Sequence, residues 1–78
     1  ERKETRSAIQ QAIAAVPEGM REVFLLRDVH GLSVEETAQA LQIAQGTVKS
    51  RLARAREKIA AELKRRGVGQ TGGERHAV

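Results

Sequence analysis

From Val48 to Leu63 an apolar side chain recurs every three or four residues, at Val48, Leu52, Ala55, Ile59 and Leu63. At 100° per residue these five fall within an arc of roughly 80°, so a single α-helix gathers them into one stripe, whereas a strand would divide them between two faces. The remainder of that helix is strongly charged. Residues 46–66 carry eight basic side chains (Lys49, Arg51, Arg54, Arg56, Lys58, Lys64, Arg65, Arg66) and two acidic ones (Glu57, Glu62), and 47–56 hold no acid at all. Residues 1–45 are net negative by two, residues 67–78 are neutral, and the whole excess of +4 therefore sits on this one segment. A single-sign field on one element attracts a polyanion.

The helical period governs the chain upstream as well. Ile9, Ala12, Ile13 and Val16 make one buried stripe, and Pro17 disfavours helical geometry at Val16, so a first helix ends there. Pro17 suits an early position of a second helix and Glu18 suits its positive end. Met20, Val23, Phe24, Leu25, Leu26 and Val29 then make that helix apolar around most of its circumference, as befits a central element, and Gly31 supplies a left-handed stop. Met20, Phe24 and Leu25 are the members that would form a docking patch for a protein partner if left outside the core. "SVEE" opens a third helix with a capping box between Ser33 and Glu36. Only "QIAQ" separates its stripe of Val34, Ala38 and Leu41 from the basic helix, so the two must cross as a helix-turn-helix. Residues 1–66 are thus expected to form one all-α domain of four helices, and 67–78, with four glycines and no seam, a disordered tail.

Composition narrows the chemistry. At 78 residues a core buries only about 60% of the surface the unfolded chain exposes, so modest stability is expected. There is no cysteine, which removes disulfides and thiolate metal sites. His30 most simply meets the negative end of the second helix, and the other histidine, His76, lies in the expected tail, so no metal site is expected. Capping and groove contact account for Ser33, Ser50, Glu35 and Glu36, and no nucleophile, base and orienting group recur together: no enzyme, cofactor or small-molecule substrate is expected. No apolar run reaches the roughly 20 residues of a membrane span, and the basic helix has no Trp or Phe to anchor it at a lipid surface. A cytoplasmic location is expected, and the chain, which opens without Met, reads as a piece of a longer protein.

Opposite the seam of the basic helix lie Gly46, Lys49, Ser50, Ala53, Arg54 and Glu57. Gly, Ser and Ala keep the leading half slim while Lys49 and Arg54 supply long donors, which suits entry into a major groove about 12 Å wide. Arg51, Arg56 and Lys58 flank that face, aimed at backbone phosphates or at acidic neighbours such as Glu35. Duplex DNA is favoured over single strands, because stacking needs aromatic platforms and Phe24 is the only aromatic residue.

The stretch "VPEGMREVFLLRDVHGLSVEETAQALQIAQGTVKSRLARAREKI" resembles the C-terminal promoter-binding domain, region 4, of extracytoplasmic-function (ECF) sigma factors, whose pattern reads "LPEGMREVF…GLSYEEIA…GTVKSRLARARE". The resemblance covers residues 9–66. It implies a four-helix domain related to winged helices but without a wing. Its last helix would enter the major groove of the promoter −35 element, while other surfaces hold the RNA polymerase beta-flap or an anti-sigma factor. Carried over by residue, base and phosphate contacts fall on Lys49, Ser50, Ala53 and Arg54, with Thr47 and Arg51 as backbone contacts and Arg56 beside them. Other classes open to such a chain are a LuxR-type response-regulator output domain, which shares "TVK" but usually dimerises through a following helix, and a module present mainly to bind an anti-sigma factor. Four positions depart from the pattern. Gln42 replaces a usual Gly in the turn, Ala44 replaces a capping Ser or Pro, Thr37 stands where an Ile would fill the core, and Ala53 is smaller than the base-contacting side chain of some relatives.

Overall fold

The computed structural model describes residues 2–67. Four helices follow one another: α1 (Arg2–Ala14), α2 (Glu18–Phe24), α3 (Val34–Leu41) and α4 (Gln45–Arg65), and α2 runs on without a break into a π-helical stretch, Leu25–Val29. There is no strand among the described residues, and the fold is the expected all-α one. The tail expected over 67–78 lies, beyond Gly67, outside the described residues.

Each boundary has a local cause. Val16 is buried, and its N–H closes a last turn on the Ile13 carbonyl at 3.1 Å. Pro17 stands one step earlier than the sequence suggested: it precedes α2 as its N-cap, with φ −54° and an extended ψ of 148°. The extended ψ is what lets the chain reverse while the Pro17 carbonyl accepts the Arg21 N–H at 2.9 Å. Arg21 also serves α1, which has no basic side chain in its last turn: its Nη1 donates to the carbonyls of Val16 at 2.9 Å and Ala14 at 3.3 Å. Carbonyls at a helix end need such a donor.

The π-helical stretch is shown by the His30 N–H reaching back five residues to the Leu25 carbonyl at 2.9 Å. Gly31 then turns left-handed at φ 79°. The capping box is present in full, with the Glu36 N–H donating to Ser33 Oγ at 2.9 Å and the Ser33 N–H to Glu36 Oε1 at 2.8 Å. At the far end of α3, Gln42 takes the left-handed conformation, φ 59° and ψ 48°, that a Gly would take without strain. Ala44 caps α4 by backbone alone, with no side-chain oxygen on the first-turn N–H groups, and Gly67 at φ 89° stops the helix.

The core forms two clusters. Ala12 and Val16 of the first segment meet Ala55 and Ile59 of α4, with Ile13, Met20 and Leu63 against them. Val23 and Ala38 meet Val48 and Leu52, with Val34, Leu41 and Ile43 against them. Phe24 packs on both clusters and joins them. The seam read from the sequence is thus the inner wall of the whole domain: Val48, Leu52, Ala55 and Ile59 are all buried and Leu63 is half-buried. Thr37 is fully buried and its Oγ1 has no hydrogen-bond partner among the described residues.

Two stabilising changes are expected from these sites. Gln42→Gly removes the left-handed strain against a smaller chain-entropy cost and raises stability by about 0.5–1 kcal/mol. Thr37→Val, of nearly equal volume, deletes a buried unpaired hydroxyl and raises stability by about 1 kcal/mol. Urea unfolding reads both, and a lowered midpoint in either variant refutes the corresponding reading.

Candidate nucleic-acid interface

Because α1, α2 and α3 all pack on the inner stripe of α4, the outer side of α4 is left to solvent. Gly46, Lys49, Ser50, Ala53, Arg54 and Glu57 are all exposed, on the face opposite the seam. Thr47 and Arg51 are half-buried at its edge. The Ser50 hydroxyl donates back to the Thr47 carbonyl at 3.2 Å, which leaves its lone pairs, rather than its proton, facing outward. No helix among the described residues is long and apolar enough to cross a membrane.

The basic side chains have unequal fates. Among the described residues, no carboxylate lies within ion-pair distance of Lys49, Arg51 or Arg54. By contrast Arg65 and Arg66 share the Glu62 carboxylate at 2.7 and 3.3 Å, and Arg66 also donates to Gln11 Oε1 at 2.6 Å. Arg56 is committed too, and not to Glu35 as the sequence allowed. Its Nε and Nη2 donate to the two oxygens of Asp28 at 2.8 and 2.7 Å, a fork across 28 residues of sequence. The phosphate contact expected of Arg56 therefore has a competitor that spacing did not reveal.

Arg51 lies over the start of α2. A Cβ placed on Gly19 would come within 3.2 Å of its Nη1, so the guanidinium sits close over the backbone at 19. Pro17, Gly19, Met20, Ser50, Arg51 and Arg54 line one open cleft between the N-terminal end of α2 and the outer face of α4. Of the three residues expected to dock a protein, Met20 and Phe24 spend apolar surface on the core and Leu25 is half-buried, while Val29 stands 57% exposed. His30 is exposed at the end of the π-helical stretch.

Two packed helices joined by the short turn Gln42, Ile43 and Ala44, the second presenting a slim basic face, define a helix-turn-helix domain. The family model described as "Sigma-70, region 4" matches residues 6–59, and the chain belongs to that family. It is 44% identical over 60 residues to the "ECF RNA polymerase sigma factor SigM" of Mycobacterium tuberculosis, covering 77% of this chain and 31% of that protein. Over 58 residues it is 43% identical to the "RNA polymerase sigma-H factor" of Pseudomonas aeruginosa, covering 74% of this chain and 30% of the relative. The "ECF RNA polymerase sigma-E factor" of Escherichia coli K12 is 42% identical over 57 residues, covering 73% and 30%. The chain thus spans under a third of the length of these relatives.

The fork has an electrostatic signature. Hydrogen bonding from Arg56 holds the Asp28 carboxyl below the usual carboxylate range, against a smaller opposing effect of burial, and the charges of Arg56 and Arg27 lower it further. A carboxyl lowered on folding contributes stability that is complete above the ordinary range and is lost as pH falls through the lowered value. In an NMR titration of side-chain carboxyls, Asp28 is expected to titrate below an ordinary Asp, and Arg56→Gln to move it back up. An unshifted Asp28 in the parent chain would show that the fork does not persist in solution.

Proposed function

We propose that this domain recognises promoter DNA as region 4 of an ECF-type alternative sigma factor, laying the leading half of α4 in the major groove of the −35 element. The observation that carries this reading is the face formed by Lys49, Ser50, Ala53 and Arg54, exposed together opposite the seam with both cations unpaired among the described residues. Arg54 and Lys49 are the donors for guanine edges or phosphates, the Ala53 methyl offers an apolar contact such as a thymine methyl accepts, and Ser50 presents acceptor lone pairs to a base amino group. Thr47 and Arg51 at the rim take the DNA backbone. The uncapped first turn of α4 leaves N–H groups at the leading end that suit a phosphate.

The role is one of binding rather than catalysis. A single module neutralising about four phosphates gains mostly sequence-independent energy, with dissociation constants of roughly 1–100 µM. Tethering to RNA polymerase, which the names of the relatives invoke, raises the effective concentration at a promoter. The beta-flap and an anti-sigma factor are the protein partners this reading implies, and the exposed Val29 with half-buried Leu25 is one apolar surface available to them.

Selection of bound duplexes from a random pool tests the assignment. A preferred sequence is expected, and Arg54→Ala is expected to lower affinity for it by about 1–3 kcal/mol while relaxing one base position. Lys49→Ala should weaken binding as well. If both variants select the same bases as the parent chain with equal affinity, the site is elsewhere.

A further inference from the structure

We infer that Asp28 is a positioning residue for DNA recognition: its fork with Arg56 fixes the rotation of α4 about its own axis, so that Arg56 acts as a strut between helices and not as a phosphate contact. The inference rests on the DNA-binding reading above. It begins from the seam. The inner stripe of α4 spans only about 80°, with Val48, Leu52, Ala55 and Ile59 set against Ala12, Val16, Val23 and Ala38 and with Leu63 at its edge. Apolar contacts carry no direction of their own, so a narrow stripe resists separation of helices better than it resists roll. For side-chain tips about 6 Å from the helix axis, a roll of about 20° displaces the recognition face by about 2 Å. Base readout tolerates far less, since donor–acceptor distances must stay near 2.7–3.2 Å.

Roll is opposed most directly by a bond made to the side of the seam. Arg56 stands about 80° round the helix from Val48, and it bonds through Nε and Nη2 to both oxygens of Asp28, at 2.8 and 2.7 Å. Two parallel bonds through a planar group fix orientation as well as distance, which a single contact does not. The acceptor is supplied by the fold: Asp28 lies within the π-helical stretch that continues α2. Arg27, next to it, donates from Nη1 to the Leu32 carbonyl at 2.6 Å and holds the end of the same stretch. On the opposite flank of α4, Arg51 lies over Gly19 without a hydrogen bond among the described residues, so the fork is the directed contact that ties the flank of the recognition helix to the extension of α2.

The discriminating experiment measures binding of the 78-residue chain to its selected duplex and to a scrambled duplex, across salt, with Asp28→Asn, Arg56→Lys and Arg56→Gln. All three variants are expected to lose about fivefold or more in the ratio of selected to scrambled affinity, with the salt slope on scrambled DNA unchanged. Arg56→Lys is the telling case, because it keeps the charge and loses the fork. If Arg56→Lys binds as the parent does while Arg56→Gln lowers the salt slope by about 1, Arg56 is a phosphate contact and the inference is overturned. If Asp28→Asn simply tightens binding to both duplexes and preserves their ratio, the carboxylate only repels DNA, which also overturns it. Circular dichroism of each variant checks that the helices are intact, and Asp28→Glu, which keeps a carboxylate, is expected to retain most of the ratio. Failure of the parent chain to prefer any duplex would remove the DNA reading and this inference together. Discrimination by the parent that all variants share would remove this inference alone.

Discussion

The inner stripe of α4 is the contact on which everything else depends. Each of the other helices packs on it, and it supplies Val48, Leu52, Ala55 and Ile59 to the two clusters that make the core. One helix is therefore both wall and working surface. Its outer face has no freedom of its own: whatever sets the depth and rotation of the stripe sets where Lys49, Ser50, Ala53 and Arg54 stand. Phe24 matters here because it touches both clusters and couples the half of α4 that rests on α1 to the half that rests on α3.

Charge alone did not distinguish the arginines, but position does. Arg21 closes the end of α1, Arg27 holds the Leu32 carbonyl, Arg56 grips Asp28, and Arg66 joins α4 to Gln11. These four work inside the domain through the guanidinium fork, a group able to satisfy several acceptors at once. Lys49 and Arg54, on the face away from the seam, have no such acceptor within reach among the described residues. The count of eight basic side chains in the segment overstates how many are offered to a partner, since Arg56, Arg65 and Arg66 are already engaged by carboxylates.

What could be read from the sequence was what local rules determine. The seam, the Ser33–Glu36 capping box, the stop at Gly31 and the outward face of α4 all follow from interactions across three or four residues or from the freedom of glycine at positive φ. The all-α class followed from the same periodicity. What escaped was either non-local or a break in the period. The π-helical stretch replaces i→i+4 with i→i+5 bonding over only five residues, too few for a shift of phase to show in the apolar pattern. The Asp28–Arg56 fork spans 28 residues and has no signature in spacing. Proline is acceptable on either side of a helix start, so the sequence reads Pro17 as an early residue of α2, and only its ψ shows it to be the N-cap.

Three locally unfavourable choices gather around the helix-turn-helix: the unpaired Thr37 hydroxyl, left-handed Gln42 and the side-chain-free cap at Ala44. Each costs on the order of 1 kcal/mol, against a total stability of about 5–15 kcal/mol for a whole domain. The fold holds them by what surrounds them. The Ile43 N–H reaches the Ala38 carbonyl at 3.0 Å while its side chain packs on the second cluster, and the capping box secures the other end of α3. A ligand that binds only the folded form adds about 2.7 kcal/mol at a hundredfold excess over its dissociation constant, which is comparable to what the three positions give up together. Low intrinsic stability at this turn is therefore compatible with a firm α4 in a bound state, because binding stabilises the folded domain as a whole.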